Sequence, residues 1–342
     1  MDPAPRSKKM GIRVMRVLVT GATGLVGNNV VRRLLAQGHD VRVLARMPAD
    51  SKSLQGLPIE WARGDVRDAD AVRQAVAGTQ AVIHAAGVVH IGWTRQDEHQ
   101  QINVEGARHL AAAARAAAAR LIHVSTVNTF GTAGKRTPLD EQAAQHPAVL
   151  CPYVVTKRAA EAVVWQEVEQ GLDAVMIYPG FMLGPWDWKP SSGRMLLRVA
   201  RRGASLAPWG GCSVCDVRDV AAGIVAALEQ APAASRYIMA GVNMTYVQLW
   251  RHFAALSGRR GPIMASGPLI PTTIGYGGDL WRLLTGRESD LNSAAVAMAH
   301  QFHYYLSDKA NRELGYTNRP VVETIRDAWD WLRDQHPSLL DG

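Results

Sequence analysis

The chain has 342 residues, 47% hydrophobic and 20% charged, a composition that supports a buried core and excludes a disordered, collagen-like or low-complexity protein. Its three cysteines, Cys151, Cys212 and Cys215, are too few for a disulfide framework and point to a reducing, cytoplasmic setting. No apolar run approaches the roughly 18 residues of a membrane helix, so neither a spanning segment nor a membrane partner is expected. The net charge of +8 comes from basic residues spread along the chain, seven lysines against 31 arginines. That is no concentrated stripe, and no nucleic-acid partner is expected. Residues 1–13, with Arg6, Lys8 and Lys9, lack an apolar core behind the charges and read as a frayed leader rather than a secretory signal.

Taken in chain order, Val14 to Thr20 is a β-branched run followed by GATGLVG, after which NNVVRRLLAQG carries apolar residues at helical spacing. This reads strand, glycine turn, helix. Asp40 to Arg46 alternates as a second strand. The rhythm then repeats: strands at Ile59 to Trp61, Ala81 to His84, Leu121 to Ser125 and Ala174 to Tyr178, with helices over Ala69 to Ala77, Asn103 to Ala118 and Thr156 to Glu169. Alternating strands and helices predict an α/β fold, a doubly wound parallel sheet covered on both faces. After Tyr178, crowded Pro and Gly read as loop. Helices follow at Met195 to Arg201, Val217 to Glu229, Tyr246 to Leu256, Gly278 to Leu284 and Val321 to Asp334, with a strand near Arg236 to Met239. The expected organisation is a nucleotide-binding domain over 14–180 and a smaller substrate lobe over 181–342, some of whose segments return to the first domain.

Gly21, Gly24 and Gly27 lie between a strand and a helix, where glycines permit a tight turn and the close approach of a pyrophosphate to free backbone N–H groups. At the end of the second strand stands Arg46, whose planar guanidinium suits a 2′-phosphate and favours NADP(H) over NAD(H), with Lys52 as a second cation. The alternative is a solvated strand end. Asp65, in ARGDVRD, reads as an acceptor for an adenine amino group or as a turn residue.

Tyr153 and Lys157 are four apart at a helix start and share a face. An ammonium beside a phenol lowers its pKa and makes a proton donor usable near neutral pH. Ser125 and Thr126 supply hydroxyls at the C-terminal end of a parallel strand, where α/β sheets bind ligands.

Together TGATGLVG, GDVRD, HAAG (84–87), INVEG (102–106), VSTVNTFG, YVVTK, YPGFMLGP (178–185), DVRDVAAG and RELGY (312–316) resemble, in order, the extended short-chain dehydrogenase/reductase family of NAD-dependent epimerase/dehydratase type, over Arg16 to Leu332. The similarity is strongest to its dihydroflavonol-reductase-like and hopanoid-associated branch. The resemblance implies a Rossmann-type sheet, Tyr153 as acid/base, Lys157 on the nicotinamide ribose, and a carbonyl-polarising hydroxyl on Thr126 with Ser125 as substitute. It also implies cofactor contacts from Thr23, Leu25 and Val26 in the turn, from Val66 beside Asp65, from Ala85, Ala86 and Gly87, and from Pro179, Gly180 and Met182. Asn103 would stabilise the active-site helix region or serve as an N-cap. Extended relatives often pair through the helices at 103–118 and 156–169, so a homodimer is expected, with close approach permitted by alanines at 107, 111, 114 and 118.

The aromatic-rich stretch after the nicotinamide strand, with Phe181, Trp186, Trp188, Met195 and Trp209, reads as the wall of a small-molecule pocket or as core of the second lobe. His90 and Trp93 would form the opposite wall, with Asn128 beside the hydroxyls. Cys212 and Cys215 form a CxxC, yet no second ligand pair accompanies them and alternation in CSVCDV fits a strand, so no metal site is expected. Asp216, Arg218 and Asp219 read as surface ion pairs. Aligning on Asp219-Val220-Ala221 puts Cys212 where diphosphate-sugar-binding relatives carry Arg, and no later arginine motif is evident between Gly286 and His303. The expected reaction is therefore carbonyl reduction, or alcohol oxidation, on a fairly apolar molecule. The alternative is a nucleotide-sugar epimerase or dehydratase, with Arg194 or Lys189 replacing the missing cation.

Overall fold

The β-branched runs become parallel strands, and the helical-period segments between them become covering helices, in a computed structural model that describes residues 14–337 apart from 47–51, 133, 135, 136 and 268. The leader lies outside the described residues. The first half runs β1 (Arg16–Thr20), α1 (Leu25–Ala36), β2 (Asp40–Ala45), β3 (Glu60–Arg63), α2 (Ala69–Val76), β4 (Ala81–His84), α3 (Gln96–His99), α4 (Gly106–Ala116), β5 (Arg120–Val124), α5 (Pro152–Glu169) and β6 (Ala174–Pro179). The second half runs β7 (Phe181–Leu183), α6 (Ser192–Arg202), β8 (Leu206–Ala207), β9 (Gly211–Asp216), α7 (Val217–Gln230), β10 (Ser235–Met239), β11 (Val242–Thr245), α8 (Tyr246–Leu256), β12 (Met264–Ala265), α9 (Leu269–Thr285), α10 (Ser293–Ala299), β13 (Phe302–His303), α11 (Asp308–Leu314) and α12 (Val321–Gln335).

Seven parallel strands form one sheet in the order β10-β6-β5-β4-β1-β2-β3. This is a Rossmann-type doubly wound sheet, and its order reverses at β1, between β2 and β4, where such folds bind ligands. Chain from beyond residue 181 returns to it. β10 closes one edge, and Val220, Ile224 and Val225 of α7 share a buried cluster with Val30, Val31 and Leu34 of α1. A separate cluster joins α6, α8 and α12 through Leu196, Phe253 and Leu332.

Three expectations fail here for identifiable reasons. The stretch after Tyr178 is not all loop: β7 pairs in parallel with β9, Phe181 opposite Val214, a three-residue strand whose partner lies too far along the chain to leave a local pattern. Ala107, Ala111 and Ala114 face inward and are fully buried, so they allow α4 to approach its own sheet rather than a second protomer; Ala118 alone is exposed. Nor are Asp216 and its neighbours a surface pairing. Arg218 bridges Asp216 (2.7 Å) and Asp327 (2.6 Å), Arg319 holds Asp219 (2.7 Å), and the Asp216 side chain is wholly buried. The network ties the start of α7 to the C-terminal segment.

Candidate active site

The glycine turn is built by contact. Gly21 adopts φ +71°, and a Cβ there would lie 2.5 Å from the Ala86 nitrogen; a Cβ on Gly27 would lie 2.3 Å from the Gly21 carbonyl oxygen. The turn therefore packs against the end of β4 on one side and the first turn of α1 on the other. Gly24 caps α1 without a side-chain hydrogen bond, leaving first-turn N–H groups directed at an incoming anion. Thr23, Leu25 and Val26 are half-buried around this opening. Ala85, half-buried, donates its N–H to the Thr20 carbonyl (3.2 Å) and so extends β4 toward the turn. These features fit a dinucleotide pyrophosphate.

Arg46 follows β2 directly with an exposed side chain, 4.0 Å from the Asp65 carboxylate. Arg67 takes Asp65 in a fork, Nε to Oδ1 at 3.0 Å and Nη2 to Oδ2 at 2.8 Å, and these bonds hold the carboxyl below its ordinary pKa. Val66 is buried against Gly106. Lys52 lies exposed in a short 3₁₀ turn.

Pro152 at the first helical position fixes where α5 begins, and so sets Tyr153 and Lys157 one turn apart on its inner face. Burial pushes the Tyr153 phenol up to about 12, with the Thr126 side chain opposing. The net shift is upward, opposite to the lowering expected from the ammonium. Lys157 donates Nζ to the Val124 carbonyl at 2.7 Å, and its own pKa is lowered to about 8 by burial, with Glu161 opposing. Thr126 caps the short turn over Val127–Thr129, accepting from the Asn128 N–H at 3.2 Å. Ser125, one residue earlier, points elsewhere: its hydroxyl donates to Glu161.

Glu161 is a residue that motif reading misses. It is buried, accepts from Gln145 (2.8 Å), Tyr178 (3.2 Å) and Ser125, and burial raises its pKa. Its signal is present in the sequence, since 153, 157 and 161 share one helical face. Motif reading misses His99 too. It is buried beside the Tyr153 ring, centroids 6.3 Å apart, with a pKa lowered to about 4 by burial first and His90 second. Asn103 is not an N-cap. It sits in a π-helical turn over Gln100–Glu105, accepts from the Val88 N–H (2.8 Å) and donates to Thr156 Oγ1 (3.1 Å), bracing the segment after β4 against α5. Such turns favour functional sites.

The substrate candidates separate into groups. Ala294 and Met298 of α10 pack with Cys151, Tyr153 and Val154, so α10 forms the cover over Tyr153. His90 pairs with Glu288 (2.6 Å), and Trp93 Nε1 donates to Ser293 Oγ (2.8 Å), which ties the expected opposite wall to the segment leading into α10. Trp186 and Trp188 are engaged elsewhere: Arg32 lies 3.3 Å over the Trp186 ring and Trp188 meets Trp331 edge-on at 5.1 Å. Phe181 and Met195 border the second-lobe core, Met182 borders that of the nucleotide domain, and Trp209 is exposed. Pro179 is buried, and Gly180 donates its N–H to Met239 O at 3.0 Å. Cys212 and Cys215 are buried in β9, where burial raises both thiols. Arg194 pairs with Asp290 (3.6 Å). Arg287, in the stretch where no arginine motif is evident, is exposed just after α9.

Residues 17–240 match the family described as NAD dependent epimerase/dehydratase. The chain is 32% identical over 92% of its length to a putative dihydroflavonol 4-reductase of Synechocystis, covering 94% of that protein. It is 31% identical over 94% to sterol demethylase protein B of Methylococcus capsulatus, covering 99%. Among solved structures it is similar to that of gox2253, with TM-score 0.82 and 30% identity over 94% of this chain and 98% of that one. On these similarities, and on a parallel sheet that places a glycine turn beside a Tyr–Lys helix, the chain belongs to the NAD-dependent epimerase/dehydratase family and is an NAD(P)-dependent enzyme of the extended short-chain dehydrogenase/reductase type.

Proposed function

We propose that the protein is an NADP(H)-dependent reductase of a carbonyl on a fairly apolar small molecule. The observation that carries this reading is that Tyr153 and Lys157 are buried one turn apart on α5, with the Thr126 side chain acting on the phenol. A bound nicotinamide supplies the hydride. Thr126 then donates a hydrogen bond to the carbonyl oxygen and Tyr153 transfers its proton to it. Lys157 holds the ribose and offsets the phenolate left behind. Burial keeps the Tyr153 phenol protonated at neutral pH, the state a proton donor needs at the start of reduction. Ser125 acts through Glu161 as a positioning residue. The reductase name of one relative and the sterol named in the other agree with an apolar carbonyl substrate.

NADP(H) preference rests on Arg46, whose exposed guanidinium, 4.0 Å from Asp65, can meet a 2′-phosphate. Initial rates with NADPH and NADH over a panel of ketones, aldehydes and nucleotide sugars test both points. NADPH should be preferred, and Arg46→Asp should weaken NADPH by about tenfold or more while sparing NADH, since a carboxylate repels the phosphate directly. Equal use of both cofactors by the unaltered enzyme refutes the assignment. Turnover confined to nucleotide sugars, with binding lost in Arg194→Ala or Arg287→Ala, would establish the epimerase/dehydratase reading instead.

A homodimer through the outer faces of α4 and α5 belongs to the same proposal. With three of its four alanines buried, its local support is the exposed Val155 on α5 and the prevalence of two-fold pairs. Light scattering at micromolar concentration should give twice the 37.1 kDa chain mass; a monomeric mass removes the dimer.

A further inference from the structure

Helix α9 is built inside out. It meets α10 through its polar and small residues: a Cβ on Gly278 would lie 2.1 Å from the Leu291 carbonyl oxygen, and Asp279 accepts from the Ser293 N–H at 3.3 Å. At 100° per residue the opposite arc carries Ile274, Tyr276, Leu280, Trp281, Leu283 and Leu284, and all six are exposed, Leu283 at 71% and Leu284 at 76%. Just before the helix, β12 and its flank add Ile263 at 75% and Met264 at 60%. A helix of a water-soluble surface turns such an arc inward; an outward apolar arc of this kind is a contact site.

Charge selects the occupant. No Asp or Glu occurs between Glu229 and Asp279, while Arg251, Arg259 and Arg260 are exposed there and Arg287 follows the helix. Ala204 binds the Arg260 carbonyl at 3.3 Å, which brings exposed Arg202 to the same edge. The acids that come next are engaged within the protein: Asp279 by Ser293, Glu288 by His90 and Thr94, Asp290 by Arg194. An apolar, tryptophan-bearing arc at the end of an acid-free run whose exposed charges are arginines, and followed by Arg287, matches an anionic bilayer surface. Seventeen residues of helix extend about 25 Å, short of a hydrocarbon core, and no helix among the described residues is long and apolar enough to cross a membrane. The lack of a spanning run, on which the expectation of no membrane partner rests, does not bear on a helix that lies flat.

We propose that α9, with Ile263 and Met264, docks this protein onto an anionic lipid surface. Docking also turns the α9–α10 pair toward lipid, and α10 is the cover over Tyr153, so a lipophilic carbonyl compound would enter from the bilayer. Only this last step rests on the function proposed above.

The test is flotation of the full chain with vesicles of phosphatidylcholine alone or mixed with phosphatidylglycerol, read separately from turnover. The bound fraction should be about tenfold higher on the anionic vesicles and fall with added salt. The double variant Leu280→Glu/Leu284→Glu should lose about tenfold or more of that binding while keeping its circular dichroism and its rate on a water-soluble carbonyl compound. Arg259→Glu/Arg260→Glu should remove the preference for anionic vesicles. Folded protein that floats with neither vesicle, or a double variant that still floats, overturns the proposal. So does a dimer in light scattering that the double variant dissociates without any vesicle binding, because the arc would then be covered by a second copy.

Discussion

Tyr153→Phe should reduce carbonyl turnover by about 10²–10⁴-fold, the range expected when a positioned proton donor is removed, while the dissociation constant for NADPH stays within a factor of two or so of the unaltered protein. Phenylalanine keeps the ring against His99 and Thr126 and deletes only the transferable proton. Lys157→Ala should damage both quantities, because in the proposed mechanism the ammonium serves ribose binding and compensates the phenolate. The pH profile separates the two groups. Lys157, lowered to about 8, is charged below that pH, and Tyr153, raised to about 12, is protonated throughout neutrality. Reduction should therefore run level through neutral pH and decline as pH rises through about 8, when Lys157 loses its charge. A near-normal rate in Tyr153→Phe, with this decline intact, would mean that another group delivers the proton.

Gly27→Ala should strongly weaken cofactor binding. Its Cβ would meet the Gly21 carbonyl oxygen at 2.3 Å, the Gly21 carbonyl carbon at 2.6 Å and Ala22 Cα at 2.8 Å. All three are backbone atoms, so no side chain can yield, and α1 must move away from the turn whose N–H groups it presents. Overpacking of this kind costs about 1–3 kcal/mol of stability, and displacement of the anion site should weaken NADPH binding by about tenfold or more. Gly277→Ala is the matched control, since nothing lies within 4 Å of its added carbon and alanine is the better helix former; it should stabilise slightly and leave affinity unchanged. Calorimetric affinity and thermal midpoints for the two variants check this, and an unchanged affinity in Gly27→Ala would exclude close packing of α1 on the turn as a requirement.

Local chemistry along the chain is enough to determine the alternating half of this protein. β-branched runs, glycine turns and helical periods act within a few residues of themselves, so the strands from Arg16 to Pro179, the turn at Gly21 to Gly27 and the one-turn spacing of Tyr153 and Lys157 are all legible in the amino-acid order. Tertiary structure decided whatever depended on partners distant in the chain. It turned Ser125 toward Glu161 and left Thr126 on Tyr153, because two adjacent residues leaving a strand point in opposite directions and only the position of α5 says which one meets the phenol. It placed Lys157 on the Val124 carbonyl and buried Tyr153, so desolvation rather than the neighbouring charge governs that phenol. It turned the helix-period alanines inward, joined Trp186 to Arg32, and buried Asp216 beneath two arginines. It also left α9 with its apolar arc outward: periodicity reports that a helix is amphipathic, and only packing reports which side meets the protein.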